Sequence, residues 1–145
     1  MKKPFRITPE VQIVEANGKP TRDGLNVLQQ LLDKASESTS QIEDWPAYLA
    51  YPANKSYTLL PDSGEERTIT DVITKSASGT CTVTLYIDGV ALGGTANSVS
   101  SSEQTQTHTT ANVIPVGGRV TATVTSNSSC IDMELQFRTT RTLTT

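Results

Sequence analysis

Thr80-Cys81-Thr82-Val83-Thr84-Leu85-Tyr86-Ile87-Asp88 alternates without a break, with Cys81, Val83, Leu85 and Ile87 on one side and Thr82, Thr84, Tyr86 and Asp88 on the other. A period of two over that length predicts a strand with one face buried and one face wet. Asp88-Gly89 follows, a dipeptide suited to the positive φ angles of a tight hairpin, and Val90-Ala91-Leu92 forms the returning arm. The same reading extends in both directions. Tyr57 to Leu60 is a short strand ended by Pro61-Asp62-Ser63-Gly64, and Thr68 to Lys75 is another. Arg119 to Thr125 sets Val120, Ala122 and Val124 inward, Ser126-Asn127-Ser128-Ser129 turns the chain, and Ile131, Met133, Leu135 and Phe137 form the last core face. Ser98 to Thr110 is polar on both faces, which suits an edge. Short strands separated by Gly, Ser, Asn and Pro turns predict an antiparallel, jelly-roll-like β-sandwich over residues 57–145.

Composition agrees with a mainly β chain. Ser and Thr are abundant, while aromatic residues are 5% and charged residues 19% of the 145. So few aromatics make a thin core, which association with other copies would supplement.

Ahead of the strands the pattern changes. Leu25, Leu28, Leu32, Ala35, Thr39 and Ile42 follow at spacings of three and four, the seam of a coiled coil. Thr21 is a suitable N-cap, Asp23 lies in the first turn, and Pro46 would end the helix. An oligomerisation helix is therefore expected over residues 21–45, with Leu25, Leu28, Leu32, Ala35 and Ile42 in its seam. The other reading is one amphipathic helix lying on its own β-domain. Residues 1–20 carry Pro4, Pro9 and Pro20, so an extended arm is expected there, whose Phe5, Ile7, Val11, Ile13 and Val14 need a surface to lie on. Asn17-Gly18 is a turn. Residues 46–56 are expected to be a connector. The run Trp45-Pro46-Ala47-Tyr48-Leu49-Ala50-Tyr51-Pro52 is the densest aromatic stretch in the chain. It reads as packing against the following domain, with a sugar-stacking platform as the alternative.

The net charge is -3 and no Lys/Arg cluster extends beyond Lys2 and Lys3, so nucleic acid is not an expected partner. No apolar run approaches the roughly 20 residues of a membrane span, and no secretory leader is legible, so membrane insertion is not expected. Cys81 and Cys130 belong to no metal-ligand spacing and are expected as two free thiols, or as a staple between two strands if they pair. His108 is the single histidine, and no nucleophile elbow, phosphate loop or zinc motif is present. Glu43-Asp44 and Glu65-Glu66 read as solvated carboxylates. No enzyme activity, metal or cofactor is expected.

The segment Pro4-Phe5-Arg6-Ile7-Thr8-Pro9, then Ile13-Val14-Glu15-Ala16-Asn17-Gly18-Lys19-Pro20-Thr21, then Leu25 and a Leu-rich helix resembles the N-terminal part of structural proteins in tailed-bacteriophage virions. The second half, at Ile69-Thr70-Asp71-Val72, Gly79 to Gly89, Val116-Gly117-Gly118-Arg119-Val120 and Asp132-Met133-Glu134-Leu135, resembles β-sandwich modules of phage fibres, with Gly118 where that family usually carries a residue such as Asp. The resemblance implies a tail fibre, spike or head fibre. Its arm (Phe5, Ile7, Val11, Ile13, Val14, Asn17 and Gly18) would dock on capsid, connector or tail, and its sandwich would point outward. It also implies a homotrimer, synthesis in the host cytoplasm and residence in the virion. A carbohydrate-binding sandwich that meets a host-surface glycan is the alternative, as is a capsid decoration protein.

Overall fold

The computed structural model describes residues 39–143, and every regular element among them is a strand. They are β1 (Thr39–Leu49), β2 (Ser56–Leu60), β3 (Arg67–Lys75), β4 (Ser78–Ile87), β5 (Val90–Ala91), β6 (Asn97–Val99), β7 (Gln104–Thr107), β8 (Val113–Ile114), β9 (Val120–Ile131) and β10 (Met133–Leu143). One sheet runs β1-β10-β3-β7, with β8 also on β3. The other runs β2-β9-β4-β5, with β6 also on β4.

The pairing is nested: β1 with β10, β2 with β9, β3 with β7 and β8, β4 with β5 and β6. A long antiparallel hairpin rolled into two sheets produces that order, which is the jelly-roll arrangement expected from the turns. Alternation supplies the core. Val83 lies opposite Val124, Leu85 opposite Ala122 and Ile87 opposite Val120 in one sheet, while Phe137 lies opposite Val72 in the other. All of these side chains are buried in one cluster with Ile69, Ile114, Met133 and Leu135. The strand Thr80 to Asp88 and its Asp88-Gly89 hairpin stand where the sequence puts them, with positive φ at both turn residues. The polar segment is on an edge: β7 is the last strand of its sheet.

Two expectations are corrected. Residues 39–45 are the first half of β1 and do not close a helix. Ile42 belongs to no helical seam, since it points out of β1 at 64% exposure. The inward positions of β1 are Gln41, Glu43, Trp45, Ala47 and Leu49, a period of two whose first members are polar. An apolar count therefore misses the strand. Pro46 does not stop a helix; it sits at an outward position of a strand at the end of its sheet, where a missing N–H is tolerated. The connector expected at 46–56 likewise begins inside β1. The arm (Phe5, Ile7, Val11, Ile13, Val14, Asn17, Gly18) and the seam residues Leu25, Leu28, Leu32 and Ala35 lie outside the described residues.

Gly118 meets a close approach. A Cβ there would come within 2.8 Å of Pro115, so a side chain at this position would displace the loop before β9.

Candidate functional site

The nested topology gives the sandwich two unlike ends. One, here the root, gathers the start of β1, the finish of β10 and the start of β3. Gln41 accepts hydrogen bonds from Arg141 at 2.9 and 2.6 Å, and Arg67 stands opposite Ile114. The β4–β5 hairpin reaches the same end, because Ile87 and Val90 share a groove with Val113 and Pro115. The chain thus enters and leaves the unit Ser40–Thr142 at one end.

The root is closed by charge. Arg67 pairs with Glu43 and, at 3.5 Å, with Glu65, while Arg141 pairs with Glu65 and, at 3.5 Å, with Glu43. Arg67 also lies 5.1 Å over the Trp45 ring, and Trp45 stacks on Phe137 with centroids 5.9 Å apart and planes 5° from parallel. The Trp45 indole N–H donates to Thr139 at 3.1 Å. Glu43 and Glu65 are therefore members of a four-residue ion network on the core's rim. The Arg67 Nε atom is buried and has no hydrogen-bond partner among the described residues.

The far end is built from turns. Ala50 O accepts from Asp132 N, Lys55 O from Val124 N, Ser100 O from Ser76 N and Ile131 O from Ala77 N. Asn127 ties two of these turns together: its backbone N–H donates to Asn54 Oδ1 at 3.0 Å and its side-chain amide donates to Pro52 O. Tyr48 and Tyr51 stand at this end, 60% and 81% exposed. The Tyr48 hydroxyl donates to Asp132, a contact that raises its pKa by holding the neutral phenol. Beside Tyr48 runs a groove of about 360 Å³ on the outer face of the first sheet, lined by Pro46, Ile73, Lys75, Glu103, Glu134 and Gln136.

The aromatic stretch Trp45 to Pro52 thus does two things. Trp45 packs, as expected, and the two tyrosines do not. Strand alternation from Trp45 inward places Tyr48 outward, and a helix ending at Trp45 concealed that phase. His108 is buried, donating from Nδ1 to Gly93 O at 2.9 Å, with Nε2 buried and unpartnered among the described residues. Cys81 and Cys130 are free, with Sγ atoms 3.6 Å apart. Among the described residues no group of three or more His, Cys, Asp or Glu is gathered in the way a metal ion requires.

No protein-family model matches the chain, and no curated protein matches it. Solved structures do resemble it. A chain of the cyanophage Pam1 capsid asymmetric unit matches at 15% identity over 73% of this chain and 86% of that one, with a TM-score of 0.48. A chain of the infectious bursal disease virus Gx strain matches at 13% identity over 74% of this chain and 33% of that one, with a TM-score of 0.41. Dimeric latent PorU from Porphyromonas gingivalis matches at 18% identity over 73% of this chain and 11% of that one, with a TM-score of 0.29. At such identities and scores the likeness fixes neither partners nor activity.

Proposed function

We propose that this protein is a structural component of a virus particle: a homotrimeric fibre, spike or head-surface protein whose N-terminal segment attaches to another virion protein and whose jelly roll projects outward. The observation that carries this reading is the shared root. A domain that receives its chain at one end presents the turns of the other end to whatever lies beyond it. The resemblance of residues 4–21 to virion attachment segments supplies the anchor, and the 38 residues before β1 supply the reach. The seam at Leu25, Leu28, Leu32 and Ala35 supplies the association, now without Ile42.

Two measurements test it. Light scattering on the intact chain is expected to give three times the chain mass, and a monomer across the micromolar range would overturn the oligomer. Deletion of Met1 to Gly18 is expected to leave the sandwich folded and abolish incorporation into particles. Particles that still carry the shortened chain at parental stoichiometry would place the anchor in the sandwich and reverse its orientation.

Tyr48 lining a groove of mixed polarity, with exposed Tyr51 at the same end, favours a second role for the far end, contact with a host-surface glycan. A ring face gives a pyranose an apolar platform, and Gln136, Glu134 and Lys75 are within the groove to bond hydroxyls. Binding of the full chain to host-cell envelopes, lost in a Tyr48→Ala/Tyr51→Ala variant that still melts cooperatively, is the expected result; unchanged binding would remove this role.

A further inference from the structure

The two thiols of this chain lie in the core, yet they face each other. Cys81 is on β4 and Cys130 is near the end of β9, and their Sγ atoms are 3.6 Å apart. A disulfide needs about 2.05 Å, so the sulfurs must close by roughly 1.5 Å, through rotation about χ1 and a small shift of the two strands. The backbone here is already irregular. The β4–β9 register shifts twice between Ser78 and Thr82, and Ser126, Ser129 and Asp132 all have positive φ. Gly79 passes so close to Ser129 that a Cβ would sit 2.0 Å from its carbonyl oxygen.

We propose that Cys81 and Cys130 form an intramolecular disulfide that pins the far-end corner of β9 to β4 when the protein meets an oxidising thiol–disulfide buffer. The reaction is exchange with a small-molecule disulfide. One thiolate attacks it to give a mixed disulfide and release one thiol, and the second thiolate then displaces the other thiol. Two protein S–H bonds are lost, one S–S bond forms, and the small disulfide is reduced to two thiols.

Burial makes this slow in the closed fold. Both cysteines are nearly inaccessible, and desolvation, followed by the Cys130 contact, pushes the Cys81 thiol up to about 12. Exchange therefore waits on opening of the corner, or on folding itself. In a reducing cytoplasm the pair stays as thiols, and outside it the cross-link forms and persists. The corner it would fix is the one that holds the tyrosine loop. Asn127 accepts from Cys130 N at 2.9 Å while bonding Pro52 and Asn54. The inference is independent of the virion reading, since it needs only the two sulfurs and an oxidant.

The test uses the full reduced chain incubated with oxidised glutathione at pH 8, in buffer alone and in urea below the unfolding midpoint. The expected product with urea carries no glutathione, has lost two hydrogens, has no titratable thiol and melts roughly 5–15 °C higher, with dithiothreitol reversing the last three. Cys130→Ser is expected to yield at most a glutathione adduct on Cys81 and no rise in melting temperature. Two titratable thiols after the urea incubation, a stable mixed disulfide, a chain-to-chain dimer or a lower melting temperature would each overturn the proposal.

Discussion

The root and the far end close the same core with different chemistry. At the root, inward positions of β1, β3 and β10 that lie beyond the last apolar layer carry Glu43, Gln41, Arg67 and Arg141, and the sheet is finished by ions on the rim. At the far end, turns are finished by hydrogen bonds of Asn127, Asp132 and backbone groups, and Tyr48 and Tyr51 are left in water. Half-buried charges are held by each other and cannot be altered singly without leaving a desolvated partner. Exposed turns tolerate change. The contrast predicts that substitutions at the root cost stability, while those at the far end cost contact.

The largest effect belongs to the ring beneath the ion network. Phe137 is fully buried and carries the Trp45 stack, so Phe137→Ala is expected to cost about 3–5 kcal/mol and to loosen β1 from its sheet. Urea unfolding followed by Trp45 fluorescence checks both. If fluorescence and far-UV circular dichroism lose stability together by under about 1 kcal/mol, the stack contributes little and the root is held by ions alone. Arg67→Ala comes next. Its side chain is only 12% exposed, and its loss leaves Glu43 with Arg141 alone and uncovers the Trp45 ring. A cost of about 2 kcal/mol is expected, between an exposed pair and a buried one. Pairing it with Glu43→Gln in a double-mutant cycle measures the coupling, and additivity would show that the two residues do not act as a network.

The two regions also differed in legibility. Strands β4 and β9 and the core half of β10 could be read because their buried faces are apolar at every second position: Val83, Leu85 and Ile87; Val120, Ala122 and Val124; Met133, Leu135 and Phe137. Turns such as Asp88-Gly89 marked where these strands reverse, while the nested pairing order became visible only in the structure. β1 could not be read that way, because Gln41 and Glu43 face inward only by virtue of Arg67 and Arg141, the latter about a hundred positions along the chain. A charge whose partner is that distant looks solvated in a local window. Misreading β1 hid the outward phase of Tyr48, so the aromatic stretch read first as packing, with a sugar-stacking platform only as the alternative. The 3.6 Å approach of Cys81 and Cys130 was invisible for a related reason, since it depends on the slipped β4–β9 register.

Alkaline titration separates the core from the far end. The Cys81 thiol has a folded pKa of about 12 against an ordinary value of 9.0, so the folded state holds the proton more tightly. Stability from this source is complete below pH 9 and falls as pH rises toward 12. Tyr48 moves in the same direction above pH 10, through its bond to Asp132, but on a largely exposed side chain its share is small. The reduced protein is expected to lose stability from pH 9 upward, with most of that slope absent in Cys81→Ala. An unchanged slope in that variant would assign the alkaline loss to other groups.

The smallest effect on stability is expected at the most exposed ring. Tyr51 is 81% exposed and lies in the loop that Asn127 and Asn54 hold, so it adds almost nothing to the core. Tyr51→Ala should shift the unfolding free energy by less than about 0.5 kcal/mol. That near-silence makes it informative. An aromatic kept in water at the end opposite the chain's entrance gains no burial from the fold of residues 39–143, so any burial of its ring must come from outside them. If Tyr51→Ala leaves the melting curve in place and weakens binding to host-cell envelopes, the far end is a contact surface. A variant that costs more than about 2 kcal/mol would instead show that Tyr51 packs against another part of the chain or another copy, and the distinction between a structural root and a contacting far end would collapse.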